Sequence, residues 1–428
     1  MNRRLLVTRP GLLLMLTGLA LVSVAAAVPV KVELRQTGGR WELLRAGQPY
    51  RIAGAGGVDR LDRLAEAGAN SLRTWGTDQT ELVLDEAGRR GLTVTAGLWI
   101  EHERNGFNYD DPVAVAEQIR RHCAAVDRFK DHPALLLWSV GNEVETNARN
   151  PKVWDTIEAV AAYIKRVDPA HPVMVVTAHV TPAAVAAIKE RCPSVDLLGC
   201  NAYQGLFVLA DHVRRAGWTG PYLVTEWGSD GSWEVAKTPW GAELEPTSTE
   251  KAFQFALRYP LILRDADRCL GSYVFYWGQK QETTPTWFNL FTEAGAETEA
   301  VEVLHSLWSG GRTPQLAPRI TPLRINGAPA TAGLKVAPAA PLRAEFALAR
   351  GEPAELRVHW ELAPESSDKR IGGDREIRPG SYALPAPTGD LRQLEFTAPT
   401  VRGAYRLFLT VTGPGNRAAT ANFPFLVE

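Results

Sequence analysis

The chain has 428 residues, more than one hydrophobic core ordinarily supports, so two globular units are expected. Its 47 basic and 48 acidic residues give a formal net charge of -1, which leaves no overall field to draw nucleic acid or anionic lipid. A neutral partner is the expectation, and the 13 Trp and 10 Tyr suit stacking on apolar ring faces, although most belong in a core.

In chain order, the first signal is a leader. Met1-Asn2-Arg3-Arg4 is followed by an apolar stretch from Gly11 to Val24 and by Ala25-Ala26-Ala27 before Val28. A positive start, an apolar middle and small residues at a cleavage site describe a secretory signal peptide over residues 1–27. The mature chain is expected to begin near Val28, exported to the periplasm or the medium. The alternative is an uncleaved membrane anchor, for which the apolar stretch is short. No later stretch is long and apolar enough to cross a membrane, so no membrane insertion is expected after signal cleavage. Residues 28–49 then read as an N-terminal β-hairpin, Val30 to Gln48 turning at Thr37-Gly38-Gly39-Arg40 and capping the floor of the next unit.

From residue 50 to residue 312 short apolar runs alternate with amphipathic ones. The strand-like runs are Tyr50 to Gly57, Asn70 to Gly76, Leu92 to Ile100, Ala134 to Glu143, Pro172 to His179, Val195 to Tyr203, Tyr222 to Gly228 and Gly271 to Trp277. Helical patterns include Val113 to Lys130, Val153 to Val167, Pro182 to Arg191, Thr249 to Asp267 and Thr298 to Trp308. Eight strands rich in Val, Leu and Ile, each followed by a helix, argue for a parallel sheet closed into a (β/α)8 TIM barrel in the α/β class. Cys123, Cys192, Cys200 and Cys269 allow disulfides in three connectivities after export, with buried free thiols the equal alternative. Cys123 and Cys269 are assigned to helices. A Pro-rich linker over 313–322 comes next, and 323–428 reads as a small all-β sandwich of immunoglobulin-like type. Its aromatics fall on alternating positions, so a structural or linking role is expected for it.

Reacting groups in such barrels stand at the C-terminal ends of the strands. Strand two ends at Arg73-Thr74-Trp75, strand three at Glu101-His102-Glu103, strand four at Asn142-Glu143 and strand five at Thr177 and His179. Strand six ends at Asn201 and Tyr203, strand seven at Glu226-Trp227 and strand eight at Tyr276-Trp277. Two carboxylates therefore stand inside a ring of polar and aromatic groups. Glu101, His102 and Glu103 with His179 also raise a metal, but adjacent strand residues face opposite ways, so no metal and no cofactor are expected.

Gly141-Asn142-Glu143 and Thr225-Glu226-Trp227-Gly228 at these positions resemble the retaining glycoside hydrolases of clan A, which include families 2 and 5. The likeness covers roughly residues 42 to 308. It implies Glu143 as general acid/base and Glu226 as nucleophile, with Arg73 supporting Glu226, Tyr203 beside it and Trp277 under the sugar. The segment from Phe275 to Trp287 is closest to family 2 barrels, whose N-terminal jelly-roll domains are missing here. Trp75, Asn142, His102 and Trp227 complete the expected substrate-binding set. The partner is then a carbohydrate, and the reaction a double displacement at a β-glycosidic bond of an oligosaccharide or polysaccharide. A transglycosylase on β-glucan shares the covalent intermediate. A non-catalytic carbohydrate-binding protein is the alternative from another class.

Overall fold

Eight parallel strands pair edge to edge and close on themselves in the computed structural model, which describes residues 28–311, 315–351, 355–385 and 389–428. The segment expected as a signal peptide lies outside the described residues. The barrel strands, one to eight, are Ile52–Gly56, Ser71–Arg73, Thr93–Leu98, Leu135–Asn142, Val173–Thr177, Leu197–Asn201, Tyr222–Trp227 and Cys269–Val274. Each neighbours the next in sequence, and strand eight pairs with strand one. Strands three, four and seven are buried along their whole length, as a sheet covered on both faces demands.

The helices begin where local chemistry sets them. Asp111 accepts hydrogen bonds from the backbone N–H groups of Val113 and Ala114 at the start of Pro112–Phe129, with proline in the first turn. Thr247 and Glu250 form a reciprocal capping box at the start of Ser248–Arg264. The apolar faces of these helices pack on the barrel through Val126, Phe129, Phe255 and Ile262. Among the described residues no helix is long and apolar enough to cross a membrane.

A hairpin of Val32–Thr37 and Arg40–Arg45 plugs the barrel floor. Val32 donates its N–H to Ala170 O, and Trp41 to Asp267 O, both just before the N-terminal ends of barrel strands. Val32 and Leu43 pack against Ile52, Leu136, Met174, Leu197 and Leu223 in the lower interior.

The C-terminal region is all-β. One sheet holds Ala328–Pro329, Arg324–Ile325, Pro341–Glu345 and Gln393–Thr397 in that order. The other holds Arg357–Pro364, Gly403–Gly413 and Arg417–Val427, with Lys335–Val336 beside the last of them. Leu342, Phe396, Trp360, Leu407, Phe423 and Phe425 share the core they enclose. This second sheet also takes in Glu297–Thr298 of the barrel, paired in parallel with Arg417–Val427. Arg406, 1% exposed, bonds Glu365 at 2.8 and 3.0 Å and the barrel's Glu243 carbonyl at 2.8 Å.

All four cysteines are free, three of them buried, which is one of the two outcomes expected for them. Two expectations differ. Cys269 opens strand eight instead of lying in a helix, because Ser248–Arg264 stops short of it. Two residues of the expected linker are strand, since Arg319–Ile320 pairs with Leu348–Arg350.

Gly97 on strand three shows how tightly the barrel is drawn beneath the site. A Cβ there would stand 2.4 Å from the Thr74 carbonyl oxygen and 2.4 Å from the Trp75 carbonyl carbon, both backbone. Gly97→Ala is therefore expected to lower stability by about 1–3 kcal/mol through overpacking, read as a shift in the urea midpoint at unchanged slope. An unchanged midpoint would contradict it.

Candidate active site

Both glutamates leave their strands at irregularities of register. Pairing between strands four and five slips between Ser139 and Asn142, and pairing between strands six and seven slips between Val224 and Glu226. Such slips turn a side chain away from its regular direction. The first is accompanied by left-handed backbone at Gly141 (φ 77°) and at Glu143 itself (φ 51°). Glycine takes that conformation freely, but glutamate does so only where its surroundings hold it, and such strain gathers at functional sites.

A continuous hydrogen-bond network joins the two carboxyl groups. Glu226 Oε1 accepts from Arg73 Nη1 and from Trp75 Nε1, each at 2.9 Å. Its Oε2 accepts from the Tyr203 hydroxyl at 3.1 Å. The other arm of Arg73 donates to Asn142 Oδ1 at 2.7 Å, and the same oxygen receives Asn201 Nδ2 at 3.3 Å. Asn201 Nδ2 also donates to Glu143 Oε1 at 2.7 Å, and Thr225 Oγ1 fixes the Asn201 amide by donating to its Oδ1 at 2.7 Å. Asn142 thus keeps its amide NH2 without a protein partner among the described residues.

The two carboxyl groups are differently placed. Burial, then the negative charge of Glu226, push the Glu143 carboxyl far above the usual carboxylate range, and the Asn201 hydrogen bond only partly offsets this. Glu226 meets three donors, so both of its oxygens act as acceptors. Burial, then the nearby Glu226 charge, hold the Tyr203 phenol protonated to well above its ordinary value, which suits its part as a donor. One carboxyl is biased toward keeping its proton and the other accepts three hydrogen bonds, the division of labour that acid-assisted displacement requires.

Both glutamates open into one cleft of about 990 Å³, at the upper end of the range for small-molecule sites. Trp75, Trp99, Tyr203, Trp233, Phe275 and Tyr276 give it aromatic walls. Trp233 is 58% exposed and meets Tyr203 edge to face at 5.4 Å.

Of the residues expected to bind substrate, Trp75 and Tyr203 line the cleft and Arg73 lies beneath it as the positioner of Glu226 and Asn142. Three lie elsewhere. Trp277 is fully buried against Phe291 and Trp308, so no sugar can stack on it; strand eight ends at Val274, and Phe275 and Tyr276 reach the cleft instead. Trp227 is fully buried on Phe255 and Tyr259, facing away from its neighbour Glu226 as strand alternation requires. His102 is buried too, its Nε2 2.6 Å from the Asn142 carbonyl, and burial followed by the Arg104 charge lowers its pKa to about 4. The neutral ring braces the strand-four end.

Other residues enter that sequence reasoning left out of the binding set. Asn201 was visible at a strand end, but its bond to Glu143 was not. Lys280 and Glu282, an ion pair at 2.6 Å, line the cleft from the segment after strand eight.

The closed parallel barrel, with an Asn-Glu pair ending strand four and a hydrogen-bonded Glu ending strand seven, is similar to the barrels of the clan A (β/α)8 glycoside hydrolases. Residues 64–231 match the family model described as "Glycosyl hydrolases family 2, TIM barrel domain". Beta-glucuronidase of Chlorocebus aethiops is 30% identical over 151 residues, 34% of this chain and 21% of the relative. Beta-glucuronidase of Paenibacillus borealis is 24% identical over 276 residues, 56% of this chain and 43% of the relative. The chain therefore spans less than half the length of these curated relatives. Among solved structures, Ruminococcus gnavus beta-glucuronidase aligns with a TM-score of 0.50 and 17% identity, over 65% of this chain and 53% of that one. A calcium-binding mutant of Bacteroides uniformis beta-glucuronidase 2 aligns with a TM-score of 0.50 and 13% identity, over 93% of this chain and 48% of that one. These likenesses carry the fold.

The geometry gives two expected outcomes. Removing the Glu226 charge takes away one of the causes that raise Glu143, so in Glu226→Gln the Glu143 carboxyl should titrate at lower pH than in wild type. Carboxyl-carbon NMR on glutamate-labelled protein reads this directly, and coincident titrations would refute the coupling. Arg73→Lys keeps the charge but loses the fork that holds Glu226 and Asn142 together. It should lower the turnover number by about 10²-fold, the loss that misplacing a reacting group by an ångström brings. Wild-type kinetics in a folded variant would contradict this role.

Proposed function

We propose that this protein is an exported retaining β-glycoside hydrolase acting on a β-linked oligosaccharide or polysaccharide. The observation that carries the reading is the opposed state of two carboxyl groups at one cleft, Glu143 raised by burial and like charge, Glu226 seated on three donors. Glu226 attacks the anomeric carbon while Glu143 gives its proton to the departing glycosidic oxygen. The C–O bond to the leaving group breaks and an ester to Glu226 forms. Glu143, now ionised, takes a proton from water, which displaces Glu226 and returns it as a carboxylate. The free amide of Asn142 is the donor for the sugar hydroxyl beside the reacting carbon, a bond that strengthens as charge develops.

A neutral sugar is favoured over an acidic one by the pairing of three of the cations that line the cleft, Arg215 being the lining cation with no ion pair among the described residues. Lys280 is paired with Glu282, Lys369 with Glu243, and Arg370 with Asp368 at 2.5 Å. The relatives' names still make a β-glucuronide the first acidic substrate to try. The same reading takes the C-terminal unit as an immunoglobulin-like sandwich and residues 1–27 as a cleaved leader.

The test is product analysis by mass spectrometry and proton NMR, with 4-nitrophenyl β-glycosides of glucose, galactose, mannose and glucuronic acid and with β-linked tetrasaccharides. The wild type should release the β-anomer first, and Glu226→Gln should lose on the order of 10³-fold or more in turnover. Products longer than the substrate would show transfer to sugar in place of water. An α-anomer released first, or full activity in the variant, would overturn the mechanism.

A further inference from the structure

The connection after strand Arg357–Pro364 of the C-terminal domain runs across the barrel mouth, and Lys369 to Gly373 line the same cleft as Glu143 and Glu226. It is fastened at several points. Glu376, 6% exposed, accepts from the N–H of Thr283 at 2.6 Å with one oxygen and from the N–H of Arg370 at 3.0 Å with the other. Lys280 donates to the Gly373 carbonyl at 3.3 Å, and Lys369 pairs with Glu243. At the far end Asp374 faces Arg104 at 3.8 Å, and Arg104 reaches the Glu143 carbonyl at 3.5 Å.

These anchors lie on the segments that follow strands seven, eight and three. In the barrel order, strands one and two stand between eight and three, so the loop spans the rim above them. Gly372 permits this close approach. Its φ is +69°, and a Cβ there would lie 2.5 Å from Arg104 Nη2 and 3.4 Å from Glu143 Oε2. Between the anchors Ile371 is left 54% exposed, an apolar side chain on a pinned loop at the edge of an aromatic cleft. Nothing in the domain's own core needs it there.

We propose that Lys369 to Asp374 form a substrate-binding wall that ends the cleft above strands eight, one and two, with Ile371 packing on the apolar face of the outermost bound sugar. This rests on the glycosidase reading and makes the C-terminal domain part of the active site, not a spacer. Gly372 borders Glu143 itself, whereas the exposed Ile371 faces outward from the anchors, so the Ile371 contact governs affinity and product size more than the chemical step.

The test uses the full chain and the tetrasaccharide panel. Replacing Arg370–Asp374 by Gly-Ser-Gly should lengthen the released products and raise KM. Ile371→Ser, an exposed position whose change leaves the anchors in place, should raise KM for a tetrasaccharide by about fivefold with kcat within about twofold, as losing part of one apolar contact implies. Should the loop replacement lower the thermal midpoint, Ile371→Ser alone decides. Wild-type product sizes and KM in the folded variants would overturn the wall while leaving the glycosidase standing. No product from wild type on any substrate would overturn both.

Discussion

Arg73 is the interaction on which the site hangs. Its guanidinium is 1% exposed, joined on one arm to Glu226 and on the other to Asn142, so Glu226 and the residue after Asn142 are placed by one rigid fork. A buried ion pair is a poor source of net stability, since removing both charges from water costs nearly what their attraction returns. Taking away one partner is a different matter, because the other is left buried and alone, at about 3–5 kcal/mol. The arrangement is therefore best understood as a device for geometry. Strand two has only three residues, and one of them carries this charge.

Glu143 sits at the opposite end of the same network under two unfavourable conditions. Its backbone is left-handed, and its carboxyl is buried beside another negative charge. Both are tolerated because the Asn201 bond to its carboxyl, the Glu143 N–H to Val176 carbonyl bond at 3.0 Å and Arg104 at the Glu143 carbonyl hold it from several sides. What the fold concedes there emerges as a proton held to higher pH, which is the property an acid needs to act near neutrality.

The barrel was legible because most of its strands fell in apolar runs and most of its longer helices in amphipathic stretches, and the polar strand ends then gave Glu143, Glu226, Arg73 and Tyr203 together. Side-chain direction was less legible. Trp227 adjoins Glu226 and had to face the opposite way, which alternation alone predicts. Trp277 required knowing that strand eight stops at Val274, a boundary that apolar content cannot locate when Phe275, Tyr276 and Trp277 are all aromatic. The Lys369 to Asp374 segment reads as an ordinary polar turn. Its role depends on contacts such as Glu376 with Thr283, 93 residues apart, which no local pattern announces.

The parallel pairing of Glu297–Thr298 with Arg417–Val427 also orders events during synthesis. Domains on a growing chain ordinarily fold as units, the earlier one first. Here the residues just before the last barrel helix, Glu299–Ser309, find their edge partner only after more than a hundred further residues have been made. The barrel and the β domain are thus expected to finish together, with the eighth βα unit left open until the strand Arg417–Val427 arrives.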